Sequence, residues 1–321
     1  MRSRRAFVSS VVAALLMTVP GCGLLSGNST DTPPSGPANA RIRLGVIPIV
    51  DVAPVYIALR KGYFKDEGVD VELKQIQGGA AGVPLLVNGE LDVTFGNWVS
   101  FLAAQAKGAA DLKFVADGYR GKPGMFLVLA PPDTPLHTAA DLAGKKIAVN
   151  TRGNVAELAV RAAMKAQNVD PGGVQFTEMA FPDMQAALQR KDIDAALVVE
   201  PFITRAAQQI GAVTVLDTMA GQAEDLPIGG YATSAKFARE NPIVLDAFRR
   251  ALTKAQRDAS TRSEVEAVIT DYAKVDKSIA SVLHFGSYPN SIDVARLRKV
   301  VDLMRANGML TGDVDPQAML F

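Results

Sequence analysis

From residue 41 onward the chain alternates two kinds of apolar pattern, one of period two over four to six residues and one at helical spacing. Ile42-Arg43-Leu44-Gly45-Val46 alternates as a strand, residues 48–53 form a loop, and Pro54 suits the first turn of a helix that ends at Gly62. Val69-Asp70-Val71-Glu72-Leu73 alternates again. Gly78-Gly79-Ala80-Ala81-Gly82 reads as a turn, and residues 84–88 as a short helix before the strand Leu91-Asp92-Val93-Thr94-Phe95. After Pro131-Pro132 the rhythm returns. Ile147-Ala148-Val149 is a strand, Thr151-Arg152-Gly153-Asn154 is a turn before a helix, and strands over 174–179, 195–199 and 213–216 alternate with helices over 182–190 and 201–210. Strands and helices alternating at these lengths predict an α/β fold of two doubly wound parallel sheets. From Ile243 the pattern is helical, with Ser291 as an N-cap and Gly308 as a stop. A helical tail without strands must pack on an existing sheet, and it is expected to close the first lobe.

The N-terminus has a different character. Arg2, Arg4 and Arg5 precede an apolar run from Phe7 to Val19, too short to span a bilayer, and Cys22 follows it. This resembles a bacterial lipoprotein signal in which Cys22 is cleaved and lipidated, although Pro20 departs from the usual lipobox. Ser3-Arg4-Arg5-Ala6-Phe7-Val8 resembles a twin-arginine export motif, with a Sec signal as the alternative. Under either reading the mature chain is exported. Residues 23–40, dominated by Gly, Ser, Asn, Thr, Pro and Ala, read as a flexible tether.

Composition narrows the function. The formal net charge is +1 and no arginine-aromatic stripe occurs, which argues against a nucleic-acid partner. Cys22 is the single cysteine, so the exported domain has no internal disulfide and rests on a core that 48% hydrophobic residues can supply. Two isolated histidines, His137 and His284, offer no metal-binding spacing, and neither a Gly-x-Ser-x-Gly elbow nor a phosphate-binding Gly-Lys-Ser/Thr loop is present.

Specific phrases then carry a resemblance. Ala53-Pro54-Val55-Tyr56-Ile57-Ala58-Leu59-Arg60-Lys61-Gly62-Tyr63-Phe64, Asn88-Gly89-Glu90-Leu91-Asp92-Val93, Asp141-Leu142-Ala143-Gly144-Lys145-Lys146, Asp192-Ile193-Asp194-Ala195-Ala196, Glu200-Pro201-Phe202 and Asn307-Gly308-Met309-Leu310 occur in order. Together they resemble the solute-binding proteins of ABC importers for alkanesulfonates, taurine, nitrate and thiamine pyrimidine precursors. The resemblance implies the two-lobed type II periplasmic-binding-protein fold, a ligand in the cleft, closure about a hinge, and delivery to membrane permease subunits. It also implies a monomer without a cofactor, held at the outer face of the membrane or in the periplasm through a lipid anchor at Cys22. The expected division is 1–22 signal, 23–40 tether, 41–130 with 229–321 as the first lobe and 131–228 as the second, the crossovers lying near 130–133 and 226–229. Relatives that make a thiamine pyrimidine precursor share the fold, so an exported enzyme is the opposing reading.

Ligands of open α/β sheets bind beyond the carboxyl ends of the strands, and position therefore selects the candidates. They are Ile49 and Asp51 after the first strand, Asn97 and Trp98 after the third, Tyr119 after the fourth, then Thr151, Arg152, Gly153, Asn154, Phe181 and Glu200 in the second lobe. Trp98, the single tryptophan, offers a flat face to a ligand, against simple burial. Thr151 to Asn154 with Arg152 could cradle an anion at a helix N-terminus, against plain capping by Asn154. Asp51 and Glu200 favour an amine or a ring donor, with Glu200 alternatively serving the helix after Pro201. Cation and anion sites together suit a zwitterion such as taurine. Pro54, Gly62, Tyr63 and Phe64 read as helix punctuation and packing, and Asp92 and Asp194 as turn formers.

Overall fold

The computed structural model describes residues 39–321; residues 1–38, which hold the expected signal, Cys22 and nearly all of the tether, lie outside the described residues. In chain order the elements are β1 (Ala40–Val46), α1 (Ala53–Lys61), α2 (Tyr63–Asp66), β2 (Val69–Gln75), α3 (Gly79–Val87), β3 (Val93–Asn97), α4 (Trp98–Ala106) and β4 (Leu112–Arg120). The second lobe holds β5 (Leu127–Ala130), β6 (Lys146–Val149), α5 (Val155–Ala166), β7 (Gln175–Glu178), α6 (Phe181–Arg190), β8 (Ala195–Val198), α7 (Phe202–Ile210) and β9 (Val213–Asp217). The chain then returns through β10 (Pro227–Ser234) to α8 (Ala235–Glu240), α9 (Pro242–Asp258), α10 (Arg262–Tyr272), α11 (Lys277–Ala280) and α12 (Val294–Ala306).

The two sheets have matching order, β2-β1-β3-β10-β4 and β7-β6-β8-β5-β9. Each contains one antiparallel strand, so both are mixed where parallel sheets were expected. In each case it is the strand next to a crossover: β10 runs antiparallel to β3 and β4, and β5 to β8 and β9. Because β5 belongs to the second sheet, the outward crossover is residues 121–126, earlier than the expected 130–133. The return, residues 218–226, ends at the start of β10.

Parallel strands are not joined by a hairpin that would set their register. Here an aspartate does it. The Asp92 carboxylate accepts from the Arg43 backbone N–H at 2.8 Å and from its guanidinium at 3.0 and 2.6 Å, while the Asp92 N–H donates to the Arg43 carbonyl at 2.9 Å. In the second lobe Asp194 accepts from the Lys146 N–H at 2.8 Å and donates to the Lys146 carbonyl at 3.0 Å. The turn-former reading of both aspartates thus extends to a clamp between β1 and β3 in the first lobe and between β6 and β8 in the second.

The expected turn over 78–82 is mostly helix α3, and close packing explains the glycines. A Cβ on Gly79 would lie 2.7 Å from Gly96 Cα, and one on Gly82 2.5 Å from Thr94 Oγ1. The helical tail packs on the first lobe, α9 against α1 and α2, while α12 touches α4 and also α5 of the second lobe. The α12 cap is Asp293, whose side chain accepts from the Arg296 N–H, in place of the expected Ser291.

Asp92 is buried and Asp194 exposed, which sets different energies for the two clamps. Asp92→Ala leaves Arg43 without its bidentate partner and is expected to lower unfolding free energy by about 3 kcal/mol. Asp194→Ala is expected to cost about 1 kcal/mol or less. Urea denaturation of both variants checks this, and equal losses would remove the distinction.

Candidate functional site

A groove of about 310 Å³ runs between the lobes where the strands end. One wall is Ile47 and Pro48 after β1 with Gln75, Ile76 and Gln77 at the end of β2; the other is Ala180, Phe181 and Pro182 after β7 with Phe202 after β8. No charged side chain lines it. Phe181 and Phe202 stack at 5.5 Å with planes 20° apart, presenting a flat apolar wall. A larger hollow of about 440 Å³ lies among α5, the return crossover and α12, walled largely by helix flanks. Position at the strand ends, and not size, selects the groove.

The lobes are drawn together across it. Gln77 and Asn150 exchange hydrogen bonds, Nε2 to the Asn150 carbonyl at 2.8 Å and Asn150 Nδ2 to the Gln77 carbonyl at 3.2 Å. Next to them a Cβ on Gly78 would come within 2.8 Å of Asn150 and Thr151, so the approach needs glycine there. The Val50 N–H donates to the Glu200 carbonyl at 3.2 Å, and the Asn97 side chain accepts from both Ser100 N–H of its own helix and Val155 N–H of α5.

The candidates divide between this cleft and other roles. Phe181 lines the groove. Ile49 and Asp51 lie on the loop that continues from it, and Asn97 and Glu200 meet the opposite lobe. Trp98, expected at the cleft, is fully buried against Phe101 and Phe114, with the Phe114 ring 4.7 Å away, and it crowds Gly230 so closely that a Cβ there would lie 2.2 Å from the indole. These neighbours all belong to the first lobe, so Trp98 is core. Arg152 is exposed and turned to Glu157 at 2.7 Å and to the Phe176 carbonyl at 2.8 Å; Gly153 N–H also donates to Glu157. Asn154 caps α5 by accepting from Ala156 and Glu157 N–H groups, and its amide is held by Asn150 and Thr151. The expected anion cradle is therefore occupied by the chain's own groups.

Asp51 has the opposite character. It is 2% exposed, and its Oδ1 has no partner among the described residues. Burial pushes its carboxyl up to about 7, opposed only by its own backbone N–H. Around it stand Tyr119, Tyr231, Tyr272 and Tyr288, all held above the ordinary phenol value by burial first and in part by the Asp51 charge. Glu200 is 1% exposed and satisfied, accepting from Thr204 N–H and hydroxyl and from His284 N–H at 3.2 Å. Sequence reasoning passed over Gln77 and Phe202, though both follow strands like the residues it chose. It had no signal for Tyr231, Tyr272 and Tyr288, which reach Asp51 from the distant return strand and tail.

The profile described as NMT1/THI5 like matches residues 49–264, more than half of the chain. The chain belongs to the NMT1/THI5-like family. Among similar family relatives, the taurine-binding periplasmic protein of Escherichia coli (strain K12) is 29% identical over 61% of this chain, and the match spans 59% of that protein, less than two thirds of its length. A putative aliphatic sulfonates-binding protein of the same organism is 29% identical over 71% of this chain and 72% of its own. The solved alkanesulfonate-binding protein SsuA from Xanthomonas axonopodis pv. citri, bound to MOPS, superposes with a TM-score of 0.74 over 88% of this chain and 99% of its own at 18% identity, a likeness of fold.

Two outcomes follow from burial. An acid held above its ordinary 3.8 keeps its proton in the folded state at a pH where the unfolded chain has released it. The ligand-free protein therefore loses stability as pH rises from about 4 to about 7, with Asp51 and Asp117, also pushed up to about 7, acting in the same sense. Asp51→Asn is expected to flatten part of that slope and to stabilise the protein by about 2 kcal/mol at about pH 8. Urea titrations at acid and alkaline pH read it, and an unchanged slope would show that Asp51 is ionised throughout. Trp98→Ala, a core deletion, should cost about 4 kcal/mol and leave solute affinity within about twofold. A larger loss of affinity in a variant that still melts cooperatively would return Trp98 to the cleft.

Proposed function

We propose that this protein is the solute-binding component of an ABC importer, which captures a small organic solute in the groove between its lobes and presents the closed form to membrane permease subunits. The observation that carries the reading is the groove itself. Both sheets direct their strand ends to it, and the Gln77–Asn150 pair and the Val50–Glu200 bond join its walls from opposite lobes. Such bonds exist only while the lobes are together, so a ligand held between them stabilises closure by its affinity for the closed form. The binding-protein character of the relatives supports the reading, and their names point to sulfonates and taurine as the solute class. Export, with the chain tethered outside the membrane through a lipid at Cys22 and working as a monomer, belongs to the same proposal.

The uncharged groove with its stacked phenylalanines favours a second solute, a planar ring such as a thiamine pyrimidine precursor. An enzyme on the same scaffold has less support. Relatives with this fold are named as binding proteins, and the groove holds no nucleophile paired with a base.

Calorimetric titration of the mature chain with taurine, ethanesulfonate and 4-aminopyrimidine tests the proposal. At least one solute is expected to bind with a dissociation constant below about 100 μM and to raise the melting temperature, since binding to the folded form alone shifts unfolding by mass action. Silence across the panel in both measurements would falsify the receptor reading.

A further inference from the structure

Asp51 is buried in a place that supplies no partner for it. A tyrosine hydroxyl carries one proton, and two of the neighbouring phenols have committed theirs to backbone carbonyls. Tyr272 donates to the Ile49 carbonyl and Tyr288 to the Val50 carbonyl, both at 2.9 Å. The Tyr119 hydroxyl accepts from the Gly286 N–H at 2.8 Å and otherwise meets the Met125 sulfur at 4.0 Å. The Tyr231 hydroxyl, fully buried, has no partner among the described residues. No basic side chain among them acts on Asp51. Beside it the rings of Tyr56 and Tyr272 stack at 3.9 Å. Across the cleft Glu200 adds a second buried carboxylate, satisfied by Thr204 and by the His284 N–H, with the exposed His284 imidazole 3.5 Å from it.

Acceptors and ring faces are thus abundant here, while the Asp51 Oδ1 has neither a donor nor a paired cation among the described residues. A carboxylate that stays charged in such surroundings needs a cation that arrives from elsewhere. Resting on the receptor reading above, we propose that Asp51 and the tyrosines around it form the cation-recognising end of the solute site, which takes a protonated nitrogen bearing N–H donors, as in a primary ammonium or an aminopyrimidinium. An ammonium brings three donors and no acceptor, matching the open Asp51 Oδ1 and Tyr231 oxygen, and the phenol faces suit its charge. The loop that lines the groove leads to this place. Ile47 and Pro48 line the groove, and the same loop carries Asp51 three residues further on, with Val50 between them bonded to Glu200. In this proposal the solute sets its nitrogen at Asp51 and its remainder lies along Phe181 and Phe202. A neutral isostere of equal size would leave the buried carboxylate unpaired, and this is the kind of difference on which a site discriminates strongly.

The test uses matched pairs that differ in the nitrogen: taurine against 2-hydroxyethanesulfonate, and 4-aminopyridine, a cation at about pH 8, against uncharged 4-methylpyridine, titrated calorimetrically at that pH. The wild-type chain should prefer the nitrogen-bearing member of at least one pair by about tenfold or more. Asp51→Asn, which keeps the side-chain shape, should bring that preference to within about twofold while still melting cooperatively. Tyr231→Phe, which removes a hydroxyl that has no partner in the protein, should weaken the nitrogen-bearing solute by about threefold or more and leave the melting temperature unchanged. Persistence of the preference in Asp51→Asn overturns the assignment. So does wild-type binding without any preference, which leaves the receptor reading intact, whereas an absence of binding by all four solutes overturns both.

Discussion

Register between β1 and β3, and between β6 and β8, hangs on one carboxylate in each lobe. Asp92 stands just before β3 and Asp194 just before β8, and each exchanges hydrogen bonds with both backbone groups of one residue, on β1 and on β6. A parallel pair has no turn to align it, and a slip of one residue would turn every side chain to the other face of the sheet. It would also move the loop after β1, and with it Ile49, Val50 and Asp51. The geometry of the cleft is thus inherited from contacts at the far end of the same strands.

Around that frame the cleft separates two kinds of surface. The groove is apolar and uncharged, with Phe181 and Phe202 as its flat wall. Beyond it, the loop reaches a buried carboxylate among phenols, two of whose protons serve the backbone while that of Tyr231 has no partner among the described residues. Neutral walls allow shape to select the body of a solute, and a single bare charge allows it to select one group. Positive charge sits elsewhere: Arg152 is committed to Glu157, and Arg43 to Asp92. A net charge of +1 over the whole chain says nothing of this local imbalance.

Much of the fold was legible because periodicity reports burial. The strands over 42–46, 69–73 and 147–149 and the helices over 54–61 and 182–190 were readable from the alternation of apolar residues, and the rule that sites follow strand ends led to Phe181, Asp51 and Glu200. What escaped has physical reasons. A glycine run looks alike whether it turns the chain or lets a helix lie against a strand, and Gly79 and Gly82 do the second. A tryptophan after a strand looks alike whether it faces solvent or core, and the space beside Gly230 decided for the core. A helix N-terminus invites an anion until the fold shows that Asn97, Asn154 and Glu157 have taken its N–H groups. The tyrosines about Asp51 come from segments more than one hundred residues away in several cases, and no local pattern announces them.

The Gln77–Asn150 exchange has a consequence for how such a receptor meets salt and acid. Each primary amide donates to the other residue's backbone carbonyl, and such dipolar bonds are nearly blind to dissolved salt, whereas ion pairs between exposed groups weaken as the Debye length shrinks. The two amides are equally indifferent to acidity, since neither titrates. A clasp of this chemistry joins the two walls without a charge at either end, so that the pH dependence of the cleft falls to Asp51 and not to the contact that closes it.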